Sequence, residues 1–528
     1  MKKLILISLF VTGNFFAQSN PGNQSIELPD FVITGVQSVN IPFIEKNQPK
    51  MITVLSKEFF TPKFNPEDFS PTDISNPLKD EITLYNEKPR TSGILKLGAG
   101  LETLPVGSLN MGWNFDNGFI NANLFGYNEN EYVENAGENV SGGKISSEFF
   151  VNTQSSFLPG SRISADIGFD QNTFKFFAST SPQLERRIRN LSANIGFENK
   201  YYDLFNFGLN INPIKSELEN ESYDETLLNL NGFLTLKFRS FGIQLDARYI
   251  SQSSNLSSFS HEGSFISAKP FIYFSPTNSI LLKVGVNYNK ADTTDSFSPY
   301  AFMKISFTNE LELIADYSPR MEYLSYAQIV GSNQYLGFGE YFHLNEIDAD
   351  INIALKYEFE TYFGFSGGIN LKKADNYLVF QDTDYNGIFE MGGINDASIF
   401  TGFISAMFNP GPMGRFYGEL KFSKAETGGG LKLPYHPNLS LNATYGNNIA
   451  GFLGLSVGYE LKTGMYGDLI GLDEIPAYHN FYTELDFNIT KQFSIVAEFN
   501  NLLNRENYSF YNYQKKPFDV IGSIIYTW

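Results

Sequence analysis

Apolar and polar residues alternate with a period of two along most of this chain, and this pattern constrains its fold more than any other feature. In the run 241–249, one face carries Phe241, Ile243, Leu245, Ala247 and Tyr249. The residues between them are Gly, Gln, Asp and Arg, so the two faces of a strand would differ sharply in polarity. The same alternation returns in 228–238, 282–288, 347–359 and 481–489.

The length of these runs separates two kinds of β-protein. A soluble sandwich also alternates, so the period alone does not decide between them. Many of the runs reach 9 to 13 residues, whereas strands of soluble proteins usually have about 5 or 6. Membrane-spanning strands need roughly 9 to 11 residues. The run length therefore favours a transmembrane barrel.

The connections also alternate between short turns and longer polar stretches, as in outer-membrane barrels. The short turns carry Asp, Asn, Gly and Pro signatures and lie at 116–118, 158–160, 275–278, 308–310, 409–411 and 490–492. The longer stretches are about 131–142, 217–224, 255–261, 319–341, 381–396, 425–436 and 466–479. The pattern predicts an all-β, transmembrane antiparallel β-barrel of about 22 strands over 91–528. Its short turns and both of its termini would be periplasmic, its long loops would lie outside, and aromatic residues would form two interfacial girdles.

Composition excludes several other classes of protein. The net charge is −19 and no cysteine is present, which argues against nucleic-acid binding, disulfide scaffolds and thiolate chemistry. No apolar run of 18 residues follows the N-terminus, so a membrane-spanning helix is not expected. No Walker loop, dinucleotide fingerprint or nucleophile elbow occurs, and the sequence does not predict an enzyme.

The N-terminus has the pattern of a secretory signal peptide over residues 1–17. Lys2 and Lys3 precede the apolar stretch 4–11, and Ala17 marks the expected cleavage site. The alternative is a buried N-terminal helix. A secreted barrel of this kind would reside in the bacterial outer membrane, in contact with its lipid.

Residues 18–90 differ in composition from the rest of the chain. They hold nine of the 23 prolines and two of the 45 glycines. Such proline density opposes long helices and central strands. The sequence predicts a short, extended periplasmic segment.

The C-terminal region resembles the TonB-dependent receptor family of outer-membrane transporters. The stretch 499–508, FNNLLNRENY, is similar to the family's penultimate-strand signature. Pro517 and a final alternating strand follow, with Phe518-Asp519 where the family usually has Gly-Arg. Tyr526 and Trp528 end that strand, and the resemblance implies that they form the signal for barrel insertion. The family also has 22 strands, which matches the count above.

A second resemblance lies near the mature N-terminus, within 26–36. Asp30, Phe31, Val32, Ile33, Thr34 and Gly35 look like a TonB box, which in the family pairs with the energy transducer TonB by strand addition. The alternative is an ordinary extended segment. Only about 70 residues separate the signal peptide from the first strand, too few for the family's globular plug. The lumen would then be occluded by this segment, by inward loops or by another protein.

One loop motif is a candidate calcium site. Asp382, Asp384 and Asn386 precede Gly387 in the spacing D-x-D-x-N-G, and Glu390 falls at the ninth position. The twelfth position, normally Glu, is Gly393, so the site needs another ligand such as Asp396. The alternative is a solvated Asp/Asn/Gly turn. No other cofactor is predicted.

Further polar residues fall at the outer end or in the lumen. His261, His343, His436 and His479 all lie in or beside predicted outer loops, where they are either scattered polar residues or a shared metal site. The alternation points Asp246, Arg248, Asp348, Asp350, Lys356, Glu484 and Asp486 into the lumen. Such a wall either favours cations or pairs its own charges across strands.

Two functions remain open from the sequence. The first is a TonB-dependent-receptor-like transporter or pore, with substrate entering past 319–341, 381–396 and 466–479. The second is a barrel without a plug that serves as a structural subunit of an outer-membrane assembly, secretion or import complex. Its partners would be outer-membrane or periplasmic subunits of that complex.

Overall fold

The structure, a computed structural model, describes residues 91–257, 259–292 and 294–528. The predicted signal peptide 1–17, the segment 18–90 and the box-like residues Asp30 to Gly35 lie outside the described residues. Those three interpretations stay predictions.

Antiparallel strands form one closed sheet over the described residues. The strands of this sheet are β1 (Thr91–Gly100), β2 (Thr103–Phe115), β3 (Gly118–Glu129), β4 (Glu138–Phe150), β5 (Ser161–Lys175), β6 (Glu185–Asn199), β7 (Phe205–Leu218), β8 (Tyr223–Phe238), β9 (Phe241–Leu256), β10 (Phe259–Thr277), β11 (Ile280–Ala291), β12 (Thr294–Ser306), β13 (Leu311–Tyr317), β14 (Arg320–Ser325), β15 (Phe342–Phe359), β16 (Phe363–Asp375), β19 (Ala397–Phe408), β20 (Arg415–Thr427), β21 (Leu439–Ile449), β22 (Leu453–Thr463), β25 (Tyr478–Asn488), β26 (Phe493–Asn500) and β29 (Asp519–Thr527). β13 and β14 pair with successive parts of β15 and make one spanning strand, interrupted at 318–319. The sheet therefore has 22 spanning strands, and pairing of β1 with β29 closes it. The predicted fold class is confirmed.

Smaller elements lie in the connections, and all but one of those described are at the same end of the barrel. Three two-stranded hairpins join β17 (Tyr377–Gln381) to β18 (Glu390–Ile394), β23 (Met465–Tyr466) to β24 (Glu474–Ile475), and β27 (Tyr508–Phe510) to β28 (Tyr513–Gln514). One α-helix, α1 (Tyr326–Ser332), follows β14, and Ser325 and Gln328 cap it reciprocally. A short 3-10 turn occupies Glu219–Glu221 at this end, and another occupies Gly411–Met413 in the β19–β20 connection at the opposite end. Among the described residues, no helix combines the length and apolar character needed to cross a membrane.

The alternation predicted for β9 is present. Phe241, Ile243, Leu245 and Tyr249 are exposed on the outer face, while Gly242 is buried on the lumen face. Large aromatic side chains are exposed where strands meet the short turns, as expected of an interfacial girdle. They include Trp113, Phe149, Phe238, Phe359, Phe408, Phe416 and Phe487. The outside of the barrel is thus apolar with an aromatic edge at its periplasmic end.

The alternation fails at one predicted position, in β15. A bulge lies between Ile347 and Ala349, so Asp348 is an extra residue without a partner in the register with β16. Such an insertion shifts every residue beyond it to the other face. Ile347 therefore turns inward and is buried, whereas Asp350 keeps the lumen position predicted for it. The prediction that Asp348 shares the face of Asp350 is wrong for this reason.

The two ends of the barrel differ largely as the sequence predicts. The six predicted short turns lie at the end that also carries the termini of the barrel, and the seven longer stretches lie at the other, outer end. Three details differ. The connection ending at 158–160 spans the whole of 151–160, the outer end also has two-residue connections such as 101–102, and β26 ends at Asn500. Most of the 499–508 signature therefore lies in an outer loop rather than in the penultimate strand.

The outer rim is uneven in height. β8, β9 and β10 have 16, 16 and 19 residues, whereas β26 and β29 have 8 and 9. A membrane crossing takes roughly 10 residues. On the outer face of β10, apolar side chains end at Ile266 and the polar residues Ser264 and Glu262 follow. The wall around β8–β10 therefore rises above the bilayer, and the rim around β26 and β29 stays close to it.

The seam of the barrel contains the predicted insertion signal. The backbone N–H of Gly93 donates to Trp528 O at 3.1 Å, and the N–H of Trp528 donates to Gly93 O at 3.1 Å. A Cβ on Gly93 would lie 2.1 Å from Cζ2 of the Trp528 ring. Glycine is thus required where the terminal indole crosses β1. Tyr526 stacks on Trp528 at 5.6 Å between ring centroids.

Candidate functional site

The outer mouth of the barrel is covered by loops that pack on one another. Six segments contribute, 176–184, 326–341, 377–394, 428–438, 464–477 and 501–518, and together they are called the lid. Three of them contain or overlap the stretches 319–341, 381–396 and 466–479, which the sequence predicts as the entry route. The segments 176–184 and 501–518 were not predicted as long loops.

The lid spans the mouth because its segments start on opposite sides of the barrel. Segment 176–184 joins the fifth and sixth spanning strands, and segment 377–394 lies between the fifteenth and sixteenth of 22. Thr180 N nevertheless donates to Asn386 O at 2.8 Å. A barrel of 22 strands spaced about 4.8 Å apart and tilted by about 40° is roughly 40 Å across. Segments from nearly opposite positions touch only if they extend over the opening.

Aromatic side chains form the interior of the lid. Tyr335 and Tyr513, from segments 326–341 and 501–518, stack with ring centroids 3.5 Å apart. Phe389 and Phe510 pack beside them with their own ring centroids 5.3 Å apart, and all four rings are buried. Exposing four such rings to water costs about 8 kcal/mol, at about 2 kcal/mol each, and the released segments regain conformational entropy that offsets part of this cost. Burial of these rings therefore favours the closed lid.

The turn of the β17–β18 hairpin, residues 386–389, joins the lid segments to one another. Asn386 O accepts from Thr180 N, and Gly387 O accepts from the Tyr513 hydroxyl at 2.5 Å. Phe389 N donates to Tyr335 O at 3.0 Å. Gly387 has φ +77°, and a Cβ there would lie 2.4 Å from Ala178 O. This hairpin tip thus contacts three other segments, at a position that only glycine fits.

The candidate calcium motif forms this hairpin tip. The two carboxylate oxygens of Asp382 accept from Asn386 N at 2.9 Å and Gly387 N at 2.8 Å, and Asn386 Oδ1 accepts from Ile388 N at 2.7 Å. Asp384 and Glu390 are exposed. Across the part of the chain that the structure describes, no group of three or more His, Asp or Glu is arranged to hold a metal ion. The oxygens of Asp382 and Asn386 act as turn acceptors, and calcium binding stays a prediction.

A buried arginine anchors the lid to the wall. Arg186 is 1% exposed. Its Nη1 donates to Gln334 O at 2.8 Å and its Nη2 pairs with the Glu221 carboxylate. The guanidinium carbon lies 4.7 Å from the centroid of Phe176. One side chain thus joins segments 176–184 and 326–341 to the β7–β8 connection.

Replacing Arg186 by alanine is expected to loosen the lid without unfolding the barrel. The change leaves Glu221 without its base, and breaking a buried pair costs about 3–5 kcal/mol. Amide protons near Tyr335 and Leu336 should then exchange with solvent at least 100-fold faster, as measured by hydrogen–deuterium exchange. The matched control is Arg187→Ala, because Arg187 is half-exposed and pairs with Glu219 at 3.0 Å, where loss costs under about 1 kcal/mol. Equal exchange in the two variants would contradict the anchoring role.

His436 lies at the base of the lid, in segment 428–438. Its Nε2 is 3.4 Å from the hydroxyl of Tyr377. Burial, and then the positive charge of Lys372, lowers the pKa of His436 to about 4. Burial raises the pKa of Tyr377. The phenol therefore donates and the neutral imidazole accepts.

Acidification is expected to destabilise the closed lid. Since the pKa of His436 is about 6.5 when it is exposed, an open lid takes up a proton that the closed lid does not bind between roughly pH 6.5 and 4. The stability of the closed lid is complete above that window and falls as the pH falls through it, by about 2 kcal/mol at about pH 5. A thiol placed in the lid by Ser332→Cys should show this as a roughly 30-fold gain in its labelling rate relative to an exposed thiol at the same pH, because the thiolate fraction of both falls alike. In His436→Gln the acid response should disappear; its persistence would assign it to other groups.

The lumen wall pairs many of its charges across strands. Asp246 lies 3.5 Å from Lys269 Nζ, and Asp350 accepts from Arg320 Nη1 at 2.7 Å. Arg320 also binds Glu322, two residues along the same strand, at 2.7 Å. These pairs support the alternative in which the lumen wall pairs its own charges across strands.

The four histidines, all within the described part of the chain, do not come together in one metal site. His261 stacks on Tyr341 at 5.1 Å, and His479 Nδ1 is 2.9 Å from the hydroxyl of Tyr459. These are separate contacts, as are those of His436 and His343. Sequence reasoning missed the lid aromatics Tyr335 and Tyr513. The available signal was the presence of large aromatic residues in polar loops, where solvent exposure would not favour them.

Comparison with known proteins finds the fold among solved structures. No family model and no curated protein matches the chain. The siderophore receptor PiuA from Acinetobacter baumannii matches with a TM-score of 0.65 at 11% identity, over 84% of this chain and 82% of its own. The FrpB iron transporter from Neisseria meningitidis matches with 0.65 at 10% identity, over 84% and 82%. The ferric-catecholate import receptor Fiu from E. coli K12 matches with 0.63 at 10% identity, over the same shares. At this identity the likeness is one of fold, and it agrees with the resemblance found in the C-terminal region.

Proposed function

We propose that this chain, which has the barrel fold of the TonB-dependent outer-membrane receptors, transports a substrate across the outer membrane by energised opening of its lid. The observation that carries the proposal is the closure of the outer mouth by segments from opposite sides of the barrel. A simple pore would leave that mouth open. Structures with this fold include a siderophore receptor, an iron transporter and a ferric-catecholate import receptor.

The energy of the lid supports a coupled mechanism. Opening costs about 8 kcal/mol for the four aromatic rings alone, so ligand contacts or work supplied from the periplasm must offset it. The box-like residues Asp30 to Gly35 are the candidate docking strand for a TonB-type transducer, by strand addition. Outer-membrane lipid surrounds the apolar outer face.

Deletion of residues 26–36 tests this coupling. We expect substrate uptake to be lost while the barrel still assembles and resists detergent until it is boiled. A matched control deletes an equal length within 60–75, also in the proline-rich segment, and should leave uptake intact. Unchanged uptake after deletion of 26–36 would contradict energised transport.

The second candidate is a structural subunit of an outer-membrane complex. The observation in its favour is the well-packed interior of the lid, in which Tyr513 and Phe389 are fully buried, as expected of a permanent cap. Loss of a stoichiometric co-purifying protein on deletion of 26–36, without any change in uptake, would support this role.

A further inference from the structure

About a third of the lumen wall, formed by β2 to β8, carries hydrogen-bonding side chains in register across neighbouring strands. Asn121 pairs with Ser146, Ser146 with Asp166, Asp166 with Asn194, and Asn212 with Asn229. Neighbouring strands are about 4.8 Å apart. These residues therefore form a row of amide, hydroxyl and carboxylate groups around the inside of the barrel.

The alternation shows that this row faces the lumen. The residues next to it along the strands, Ile145, Ile167 and Ile195, are exposed on the outer face. A second row lies beside the first, where Asn210 pairs with Asn231. The wall thus offers both donors and acceptors along a continuous path.

Aromatic rings lie flat against the same wall, each over a glycine of the neighbouring strand. A Cβ on Gly142 would lie 2.6 Å from the ring of Phe125, and a Cβ on Gly208 would lie 2.4 Å from the ring of Phe233. Tyr273 over Gly242 and Tyr482 over Gly458 repeat the arrangement elsewhere in the lumen, at 2.2 and 2.0 Å. Because glycine has no side chain, one face of each ring packs directly on the backbone of the neighbouring strand. Phe125 keeps 39% of its surface exposed, so an apolar ring face is presented to a polar lumen.

Carboxylates on this part of the wall either pair with bases or accept from neutral groups. Lys144 lies 3.7 Å from Asp166, Arg162 pairs with Glu148, and Asp170 accepts from Asn190 Nδ2 at 2.8 Å. An anionic chelate is held best by cations that are free to make charge-assisted hydrogen bonds. Lys144 and Arg162 each face a carboxylate and Asp170 adds a further negative charge, so this part of the wall disfavours an anionic ligand and suits a neutral one.

We infer that the β2–β8 wall binds a neutral oligosaccharide, which is the substrate class of the proposed transporter. The C–H face of a sugar ring packs on the open face of Phe125 or Phe233, as apolar surface does on an aromatic ring. The hydroxyl groups at its edge donate to Oδ1 of Asn121 and Asn194, whose Nδ2 groups bond to the wall, and accept from Nδ2 of Asn229, whose Oδ1 accepts from Arg248. The inference rests on the proposed function for its biological meaning, and on the wall alone for its chemistry.

Binding by the purified full-length protein tests the inference. The probes are maltoheptaose, cellopentaose, mannohexaose and laminarihexaose, with inorganic pyrophosphate as the anionic probe. Saturation-transfer NMR detects contact and calorimetry gives Kd, in the wild type and in Gly387→Val, whose lid is weakened. We expect at least one oligosaccharide to bind to Gly387→Val. Failure of all four to bind, or tighter binding of pyrophosphate, would overturn the inference.

Variants of the wall locate the binding. Asn121→Leu combined with Asn194→Leu should weaken oligosaccharide binding at least tenfold, and Phe125→Leu should do so independently. The matched control is Asn442→Leu, which changes a lumen-facing amide of β21 on another part of the wall and should leave Kd within twofold. Detergent resistance before boiling verifies that each barrel is folded. Equal affinity in the double variant and the wild type would place the sugar elsewhere and overturn the inference.

The outcomes separate this inference from the proposed function. Oligosaccharide binding with uptake unaffected by deletion of 26–36 would keep the ligand class and reject energised transport. Loss of uptake on that deletion, with no oligosaccharide bound, would keep transport and reject the ligand class.

Discussion

Replacing Gly387 by valine is expected to raise the open population of the lid roughly 100-fold. Valine is strained at a φ of +77°, which costs about 1–2 kcal/mol. Its side chain also meets Ala178 O and Ser179 Cα, each 2.4 Å from the Cβ position, and overpacking of this kind costs about 1–3 kcal/mol. A total of about 3 kcal/mol corresponds to roughly 100-fold. The strands themselves are untouched, so the barrel should remain assembled.

A thiol reporter measures this opening cleanly because the chain has no cysteine. Ser332→Cys places one thiol in α1, where the native residue is buried, and maleimide should label it about 100-fold faster when Gly387→Val is added. The matched control is Gly392→Val in the same hairpin, where a Cβ meets nothing within 4 Å. Equal labelling rates in the two valine variants would show that the hairpin tip does not hold the lid closed.

Replacing Gly93 by valine is expected to lower the yield of folded barrel about fivefold. The new side chain would occupy the place of the Trp528 ring, which lies 2.1 Å from the Cβ position. The ring must then leave, and the last backbone pair of the seam, with both bonds at 3.1 Å, is strained or lost. An unpaired seam inside a bilayer is costly because no water satisfies its backbone groups. The folded fraction is read as the species that migrates faster on a gel before boiling.

Two further variants test whether the clash with the Trp528 ring causes the loss of assembly. Gly522→Val on the same seam strand, where a Cβ meets nothing within 4 Å, should assemble normally. Gly93→Val combined with Trp528→Ala should recover assembly if the clash is the cause. If Trp528→Ala alone assembles as poorly as the double variant, the terminal indole serves mainly as the insertion signal.

The barrel could be predicted from sequence because its determinant is local. In strands such as β9, each residue's face follows from its neighbours two positions away, and strand length follows from the bilayer. The bulge at Asp348 was not predictable in this way, because an inserted residue in β15 leaves the composition of both flanks unchanged. Only the register with β16 reveals it.

The lid could not be predicted because its contacts join residues far apart in the chain. Nothing local to Thr180 indicates Asn386 as its partner, and nothing near Tyr335 indicates Tyr513. The motif 382–387 was visible, yet the same Asp, Asn and Gly residues suit both a cation loop and a turn. The structure uses Asp382 to shape the turn. The role of Gly387 emerges only when Ala178 and Ser179 are placed beside it.

Because the rim is uneven, most of the lid starts from one side of the barrel mouth. Four lid segments, 377–394, 428–438, 464–477 and 501–518, start from the part of the rim that includes β26 and β29, whereas the wall of β8–β10 rises on another side with short connections. An antibody fragment raised against the tips of the low-rim loops would lock the entrance shut. A fragment that binds the raised outer end of β9 and β10 would attach to the protein without closing the entrance. The two classes of binder would thus separate inhibition from mere surface recognition on one molecule.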